Sequence, residues 1–191
     1  MRAVHPTLRV PVTVLVVVMA ASVIVDAVDV RVDFDKAFDF KPVRTWGWNP
    51  NGPGDIRMAR TPDDDPESAR RRAEPIILEA VATEMTRGGL TEAPNPDVFV
   101  TYYLLLTMGQ SAQTMGQFLP TTPEWGLPPF APQTTSLEIV NQGSLVLDVS
   151  GKGGVVWRGI AQAKVKMDSD DKKREALLRE SVRDLLRRFP P

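Results

Sequence analysis

The side chains of this sequence that could do chemistry are carboxylates, lysines, tyrosines and hydroxyls. The 191 residues include no cysteine, and the single histidine, His5, lies in an N-terminal segment that we expect to be removed. Thiol nucleophiles, disulfides, zinc sites of the His/Cys type and a histidine base are thereby excluded. A hydrolase could use Asp33, Asp35 or Asp148, but each would need a second carboxylate or a nucleophile beside it. The sequence therefore predicts a non-enzymatic protein with no catalytic residue, no metal ion and no cofactor.

The pattern best suited to binding is a long loop rich in methionine, proline and aromatic residues, at residues 107–134. Loops of this length are usually functional or disordered. Exposed methionine and aromatic side chains would form an adaptable binding surface, so Phe118, Trp125 and Phe130 are predicted binding residues. The alternative is that these side chains fold back and cover one end of the core.

A pair of tryptophans supplies a fourth candidate for binding. Trp46 and Trp48 stand two positions apart and would share one face of a strand. Trp48 borders a second predicted loop, residues 49–67, which holds four prolines and two glycines. We therefore add Trp48 to the predicted binding residues, while Trp46 is expected to fill the core.

An ion pair is predicted between Asp148 and Arg158. They lie on predicted strands that a short connection joins, residues 150–154, and hairpin register would bring them together. We predict a structural pair that pins this register, of the exposed kind that contributes about 0.2–1 kcal/mol. Trp157 is predicted to be buried, because its neighbours on that strand face are apolar.

Residues 1–27 have the pattern of a secretory signal peptide. Two arginines supply positive charge, and an apolar run extends from Val10 to Val25. This run is shorter than the roughly 20 residues that a spanning helix needs. We expect cleavage after Ala27, which leaves one domain at residues 28–191. An uncleaved N-terminal anchor is the alternative, and only in that case do we expect contact with a membrane.

Alternation of apolar and polar residues predicts a mainly antiparallel sheet. One strand is so apolar that it should lie centrally, with both faces covered. The predicted strands are 28–34, 38–48, 97–106, 136–149 and 155–167.

Two helices complete the predicted fold. Apolar residues at helical spacing predict one helix that begins at Glu74-Pro75 and ends at Gly88-Gly89. A last helix would be capped by Asp168 or Ser169. The predicted class is α+β: a two-layer sandwich with both helices on one face of the sheet. The formal net charge of −1 gives no basic surface for nucleic acid.

Three groups of motifs together resemble the domain-of-unknown-function 4136 family. The first runs from Asp33-Phe-Asp35 to Thr45-Trp46, and the second joins Gly143-Ser-Leu-Val-Leu-Asp148 to Val156-Trp-Arg-Gly159. The third is a charged helix followed by Phe189-Pro-Pro191. The resemblance marks Asp148, Trp157, Arg158 and Gly159 as a structural motif and brings no catalytic residues. It implies an exported α+β domain of the bacterial cell envelope, of a lipoprotein-like kind, although this chain lacks the cysteine that lipid attachment requires.

These observations lead to an expected function. We expect an exported, periplasmic or extracellular domain that binds another component of the envelope, a protein or a lipid. The alternative is a domain that holds a small apolar or lipid ligand between the sheet and the helices.

Overall fold

The structure is a computed structural model that describes residues 28–59, 65–107, 143–163 and 170–190. Within these ranges the chain forms seven strands and two helices. The strands are β1 (Asp29–Phe34), β2 (Thr45–Trp48), β3 (Gly54–Ala59), β4 (Thr91–Glu92), β5 (Val98–Thr107), β6 (Gly143–Gly151) and β7 (Gly154–Gln162). The helices are α1 (Pro66–Arg87) and α2 (Asp171–Leu186).

All seven strands belong to one open, mixed sheet. Its order is β1-β7-β6-β5-β2-β4, and β3 pairs with β5 beside β2. The ladders between β1, β7, β6 and β5 are antiparallel, whereas the pairings of β2, β3 and β4 are parallel. The predicted α+β class with a mostly antiparallel sheet is confirmed.

The central position predicted for residues 97–106 is confirmed as β5. One edge of β5 pairs with β6, and the other is divided between β2 and β3, which follow one another along it. Val100, Tyr102 and Leu104 point to one face and Thr101, Tyr103 and Leu105 to the other, and all six are buried. A strand with both faces covered requires the continuous apolar run that the sequence shows here.

The prediction that residues 49–67 form a loop is wrong in part. β3 occupies part of this range and pairs with β5 in parallel from Gly54↔Tyr102 onwards. The prolines that suggested a loop lie outside the strand, and Asp55, Ile56 and Arg57 alternate between polar and apolar as a strand does. Gly54 suits the start of β3, because an added Cβ would lie 2.3 Å from the Tyr102 ring.

The predicted start of the first helix, at Glu74-Pro75, is also wrong. Helix α1 begins two turns earlier, where Asp65 accepts a hydrogen bond from the Glu67 N–H and Pro66 occupies the first helical position. Pro75 therefore lies inside the helix, where it donates no hydrogen bond to the preceding turn. Its side chain is exposed, so water can reach the carbonyl that is left unpaired.

The predicted last helix is present but has a different cap. Asp170 is the cap, since its side chain accepts a hydrogen bond from the Lys173 N–H. Val182 and Leu185 are fully buried, and Leu178 and Phe189 pack against the same core. The predicted hairpin is confirmed, because β6 and β7 are joined by the two residues Lys152 and Gly153.

Both helices pack against the same face of the sheet. One core joins Ile77, Val81 and Met85 of α1, Val182 and Leu185 of α2, and the strand residues beneath them. Among the described residues, no helix combines the length and the apolar character needed to cross a membrane.

Several predicted features lie outside the described residues. They are the signal segment 1–27, the binding residues Phe118, Trp125 and Phe130, the extended residues 136–142 and 164–167, and the caps Asp168 and Ser169.

Candidate functional site

The sheet has a second face, over which neither described helix lies. Strand register assigns nine central side chains to this helix-free face, because their neighbours in sequence belong to the core beneath the helices. They are Thr101, Tyr103, Leu105, Ser144, Val146, Asp148, Arg158, Ile160 and Gln162. All nine are buried, with relative exposures between 0% and 9%.

A salt bridge between Asp148 and Arg158 lies at the centre of the helix-free face. Nε of Arg158 donates to Oδ1 of Asp148 and Nη2 donates to Oδ2, both at 2.6 Å. The two residues are direct register partners on β6 and β7, as the sequence predicted. The prediction of an exposed pair is wrong, since the side chains of Asp148 and Arg158 are only 1% and 6% exposed.

Burial and pairing act on the Asp148 carboxylate in opposite directions. Removal from water raises its pKa, and the hydrogen bonds and charge of Arg158 oppose that rise. Both carboxylate oxygens are occupied by the guanidinium. Asp148 is thus arranged to hold two strands together.

The salt bridge belongs to a polar row that crosses the sheet. Asp33 of β1 is the register partner of Arg158, and Thr101 of β5 is the partner of Asp148. The Asn49 amide then donates to the Thr101 hydroxyl at 3.2 Å. Two of the carboxylates considered for hydrolysis, Asp33 and Asp148, therefore lie on either side of one arginine.

Apolar side chains occupy the next row along the strands. Ile160, Val146 and Tyr103 are consecutive register partners on β7, β6 and β5. The row ends at charged residues on the outer strands, Arg31 of β1 and Asp55 of β3. Arg57 of β3 also stacks on the Tyr103 ring, 5.4 Å from its centroid. The helix-free face therefore has an apolar centre and a charged margin.

A second polar cluster connects α1 to the edge strand β3. Arg70 contacts Asp55 at 2.7 Å and Glu74 at 3.3 Å. The Tyr102 hydroxyl donates to Glu74, and burial is the main reason that the pKa of Tyr102 is raised. The ion pair between Arg70 and Asp55 was not predictable, because β3 itself was not predicted.

Asp97 forms a third cluster, at the start of β5. Its Oδ2 accepts hydrogen bonds from the N–H groups of Arg44 and Thr45, both at 2.9 Å, and from the Thr45 hydroxyl at 2.8 Å. The Thr45 hydroxyl in turn accepts from the Asp97 N–H at 2.9 Å. The backbone bond from Arg44 is the largest cause of a lowered pKa at Asp97. This cluster fixes β2 beside β5.

The burial predicted for Trp46 and Trp157 is confirmed, and the binding role of Trp48 stays a prediction. Trp46 and Trp157 are fully buried. Trp48 is half-buried and lies edge-on to Trp46, with 5.4 Å between ring centroids. Trp48 packs against the core, so only part of its ring is available to a partner.

Gly159 lies where Trp157 and α2 approach the sheet most closely. An added Cβ would lie 2.5 Å from Cη2 of Trp157 and 2.7 Å from Cδ2 of Leu185. Phe189 packs against the Trp157 ring, with 5.5 Å between centroids. The Trp-Arg-Gly motif and the Phe that follows α2 therefore form one packing unit.

The described residues bring no metal-binding set together. Within residues 28–59, 65–107, 143–163 and 170–190, no group of three or more His, Cys, Asp or Glu side chains could hold an ion.

The fold and the site define a class of protein: an α+β domain whose open mixed sheet carries a buried ion pair on the face opposite its helices. The chain belongs to the family described as Domain of unknown function (DUF4136), whose sequence profile matches residues 30–191. None of the curated proteins compared with the chain matches it.

One solved structure supports the fold assignment. A DUF4136 family protein from Bacteroides thetaiotaomicron is 16% identical, covers 86% of this chain and 97% of its own, and has a TM-score of 0.52. A PDZ domain protein from Parabacteroides distasonis is 13% identical, with 87% of this chain and 37% of its own covered and a TM-score of 0.43. PelC from Paraburkholderia phytofirmans, a dodecamer, is 11% identical, with 84% and 96% covered and a TM-score of 0.38. At 16% identity, the similarity to the Bacteroides thetaiotaomicron protein shows the fold alone.

Proposed function

We propose that this chain is an exported, non-enzymatic domain of the cell envelope, and that it binds another envelope component through the segment 107–134. In this proposal the helices and the sheet form a two-layer scaffold, supported by the core that they share. The location is periplasmic or extracellular. Contact with a membrane arises only if residues 1–27 are retained.

One observation carries the binding part of the proposal. β5 and β6 are adjacent antiparallel strands that remain paired up to Leu106↔Gly143. Two residues suffice to connect such strands, yet 35 residues, 108–142, stand between them. The strand pairing does not require this length, and its methionine and aromatic content suits an adaptable contact surface.

The contacts of Asp148 support a non-enzymatic role. Of the three carboxylates that could serve a hydrolase, it alone is deeply buried, and Arg158 occupies both of its oxygens. The alternative function, an apolar or lipid ligand between sheet and helices, receives less support. Trp157 and Leu185 already fill the space above Gly159, between the sheet and the last helix.

The test is a binding experiment with purified components. Chain carrying an affinity tag captures its partner from envelope fractions, the partner is identified by mass spectrometry, and the pair is then reconstituted. We expect Phe118→Ala, Trp125→Ala and Phe130→Ala together to weaken the reconstituted complex at least tenfold without lowering the melting temperature. The matched control replaces Gln110, Gln113 and Gln117 of the same segment with Ala and should bind normally. A collapse of stability in the aromatic variant, or equal binding by both variants, would contradict the proposal.

Export has its own test. Full-length chain produced in a bacterial host should be recovered outside the cytoplasm, with Val28 as the first residue of the mature protein. Recovery in the cytoplasm with an intact N-terminus would show that this part of the proposal is wrong, whatever the binding result.

A further inference from the structure

The first strand, β1, lies at one end of the sheet, so one of its edges is unpaired among the described strands. The Asp35 N–H, just after β1, donates to a carbonyl of β7 at 2.7 Å, so the odd-numbered residues direct their backbone groups towards β7. Because antiparallel pairing alternates, Val30, Val32 and Phe34 direct theirs towards the free edge. The Val30 carbonyl agrees with this, since it accepts a hydrogen bond from Arg188.

The charged side chains of β1 are complementary to those of a second, antiparallel copy of the same strand. If two copies pair about a two-fold axis at Val32, Arg31 of each copy lies opposite Asp33 of the other. Opposite charges at facing positions stabilise a pair of strands, and like charges destabilise it. Moving the axis by one residue in either direction would place two Arg31 or two Asp33 side chains opposite one another. The charges therefore select the alignment centred on Val32.

The apolar side chains and the backbone fit the same alignment. Val30 lies opposite Phe34 of the second copy, and aromatic side chains pair favourably with β-branched ones across strands. Phe34 is 38% exposed, so this contact covers an apolar ring that the single chain leaves in water. The Phe34 N–H meets the Val30 carbonyl of the other copy, and the two Val32 residues exchange both backbone hydrogen bonds.

Two side chains of the single chain occupy backbone groups that this pairing uses. Oδ1 of Asp33 accepts from the Phe34 N–H at 2.8 Å, and Nη1 of Arg188 donates to the Val30 carbonyl at 2.6 Å. Both contacts must open when two copies pair, and Asp33 is then released towards Arg31 of the second copy. The two contacts limit the affinity without blocking the edge, so the association is reversible.

We propose that two copies of this chain pair through β1, in the antiparallel register centred on Val32, and so form one continuous sheet. Exposed edge strands are templates for pairing with another chain. The two-fold axis is perpendicular to the sheet, which places the helices of both copies on the same face. This goes beyond the proposed binding of an envelope component and does not depend on it.

The natural absence of cysteine allows a direct test by disulfide cross-linking of the full chain. In the proposed register the two Val32 residues form a hydrogen-bonded pair with about 5.5 Å between Cα atoms, which suits a disulfide. The two Arg31 residues are diagonal neighbours about 7–8 Å apart, which is too far. With a mild oxidant we expect Val32→Cys to form linked dimers at least tenfold faster than Arg31→Cys, although Arg31 is more exposed. Lys152→Cys, in the exposed hairpin turn, is the second control. An equal or faster rate at either control position would overturn the proposal.

Sedimentation velocity at increasing concentration tests the association without a cysteine. Val32→Pro removes the central N–H of the proposed interface, which β7 does not use, and edge strands accept proline at such positions. We expect this variant to lower the association constant at least tenfold, whereas Val32→Ala keeps the N–H and should lower it less. A natural chain that stays monomeric at every concentration, or equal association of Val32→Pro and the natural chain, would contradict the proposal. The cross-linking variants keep every N–H, so they decide the case in which Val32→Pro does not fold. Partner capture is measured separately, so either proposal can fail without the other.

Discussion

Arg158 binds both carboxylate oxygens of Asp148 across two adjacent strands, on a part of the sheet from which water is excluded. Two parallel hydrogen bonds to one carboxylate are the most directional contact that arginine makes. Because β6 and β7 form a hairpin with a two-residue connection, this contact selects one register among those that the turn permits. A slip by one residue would move every side chain to the opposite face.

Removing one member of the Asp148–Arg158 pair should destabilise the fold strongly, whereas replacing both members with apolar residues should not. Asp148→Leu or Arg158→Met alone should lower the free energy of unfolding by about 3–5 kcal/mol, because the charge that stays buried loses the hydrogen bonds of the pair. Asp148→Leu with Arg158→Met should recover most of that loss, since two apolar side chains suit the covered face. Urea unfolding of the natural chain, the two single variants and the double variant measures the coupling free energy between the two residues. Additive losses in the double variant would show that the two residues do not act as a pair.

Asp97 should make stability depend on pH. Its pKa is lower in the folded chain than in the unfolded chain, so its contribution is complete above the ordinary aspartate pKa and is lost as the pH falls through the folded value. Asp97→Asn should therefore lower the melting temperature at pH 7, and the difference from the natural chain should shrink towards pH 3. Glu92→Gln, on the neighbouring strand β4, is the control. A difference that stays constant with pH would contradict this assignment.

Gly159 should accept no side chain. Gly159→Ala forces a methyl group against Trp157 and Leu185, and overpacking of this kind costs about 1–3 kcal/mol. Gly153→Ala is the matched control, because no atom lies within 4 Å of the added Cβ. Thermal unfolding of both variants measures the effect. Similar melting temperatures would mean that α2 can move away without cost.

Arg188 should protect the free edge of the sheet. Its Nη1 donates to the Val30 carbonyl at 2.6 Å, and this occupies a group that an added strand would use. Arg188→Ala should therefore increase self-association through β1, measured by sedimentation velocity at increasing concentration. Arg187 is one position earlier and also exposed, so Arg187→Ala should self-associate no more than the natural chain. Equal self-association of both variants would show that the contact between Arg188 and the Val30 carbonyl does not protect the edge.

Much of the fold was predictable because its strongest patterns are local. The period-two alternation of β1, the apolar run of β5 and the glycines around the β6–β7 turn each identify their element. β3 and the first turns of α1 were missed, since prolines on both sides made residues 49–67 resemble a loop. Prolines at 53 and 66 in fact border regular structure on either side.

The site was predictable only where residues are close in sequence. Asp148 and Arg158 are ten positions apart in one hairpin, so register alone brought them together. Thr45 and Asp97 are 52 positions apart, and Arg70 meets Asp55 across a strand that was not predicted. The burial of the Asp148–Arg158 pair depends on what covers the sheet, and strand periodicity gives no information on that.

The pairing of β1 with β7 has a consequence for synthesis of the chain. Asp29 pairs with Gln162, so 133 positions (162 minus 29) separate the two partners. The first strand to leave the ribosome therefore remains without its neighbour until almost the entire domain has been made. Pairings between such distant segments form slowly. In a chain exported as proposed, the delay keeps the polypeptide unfolded while it can still be threaded through a translocation channel.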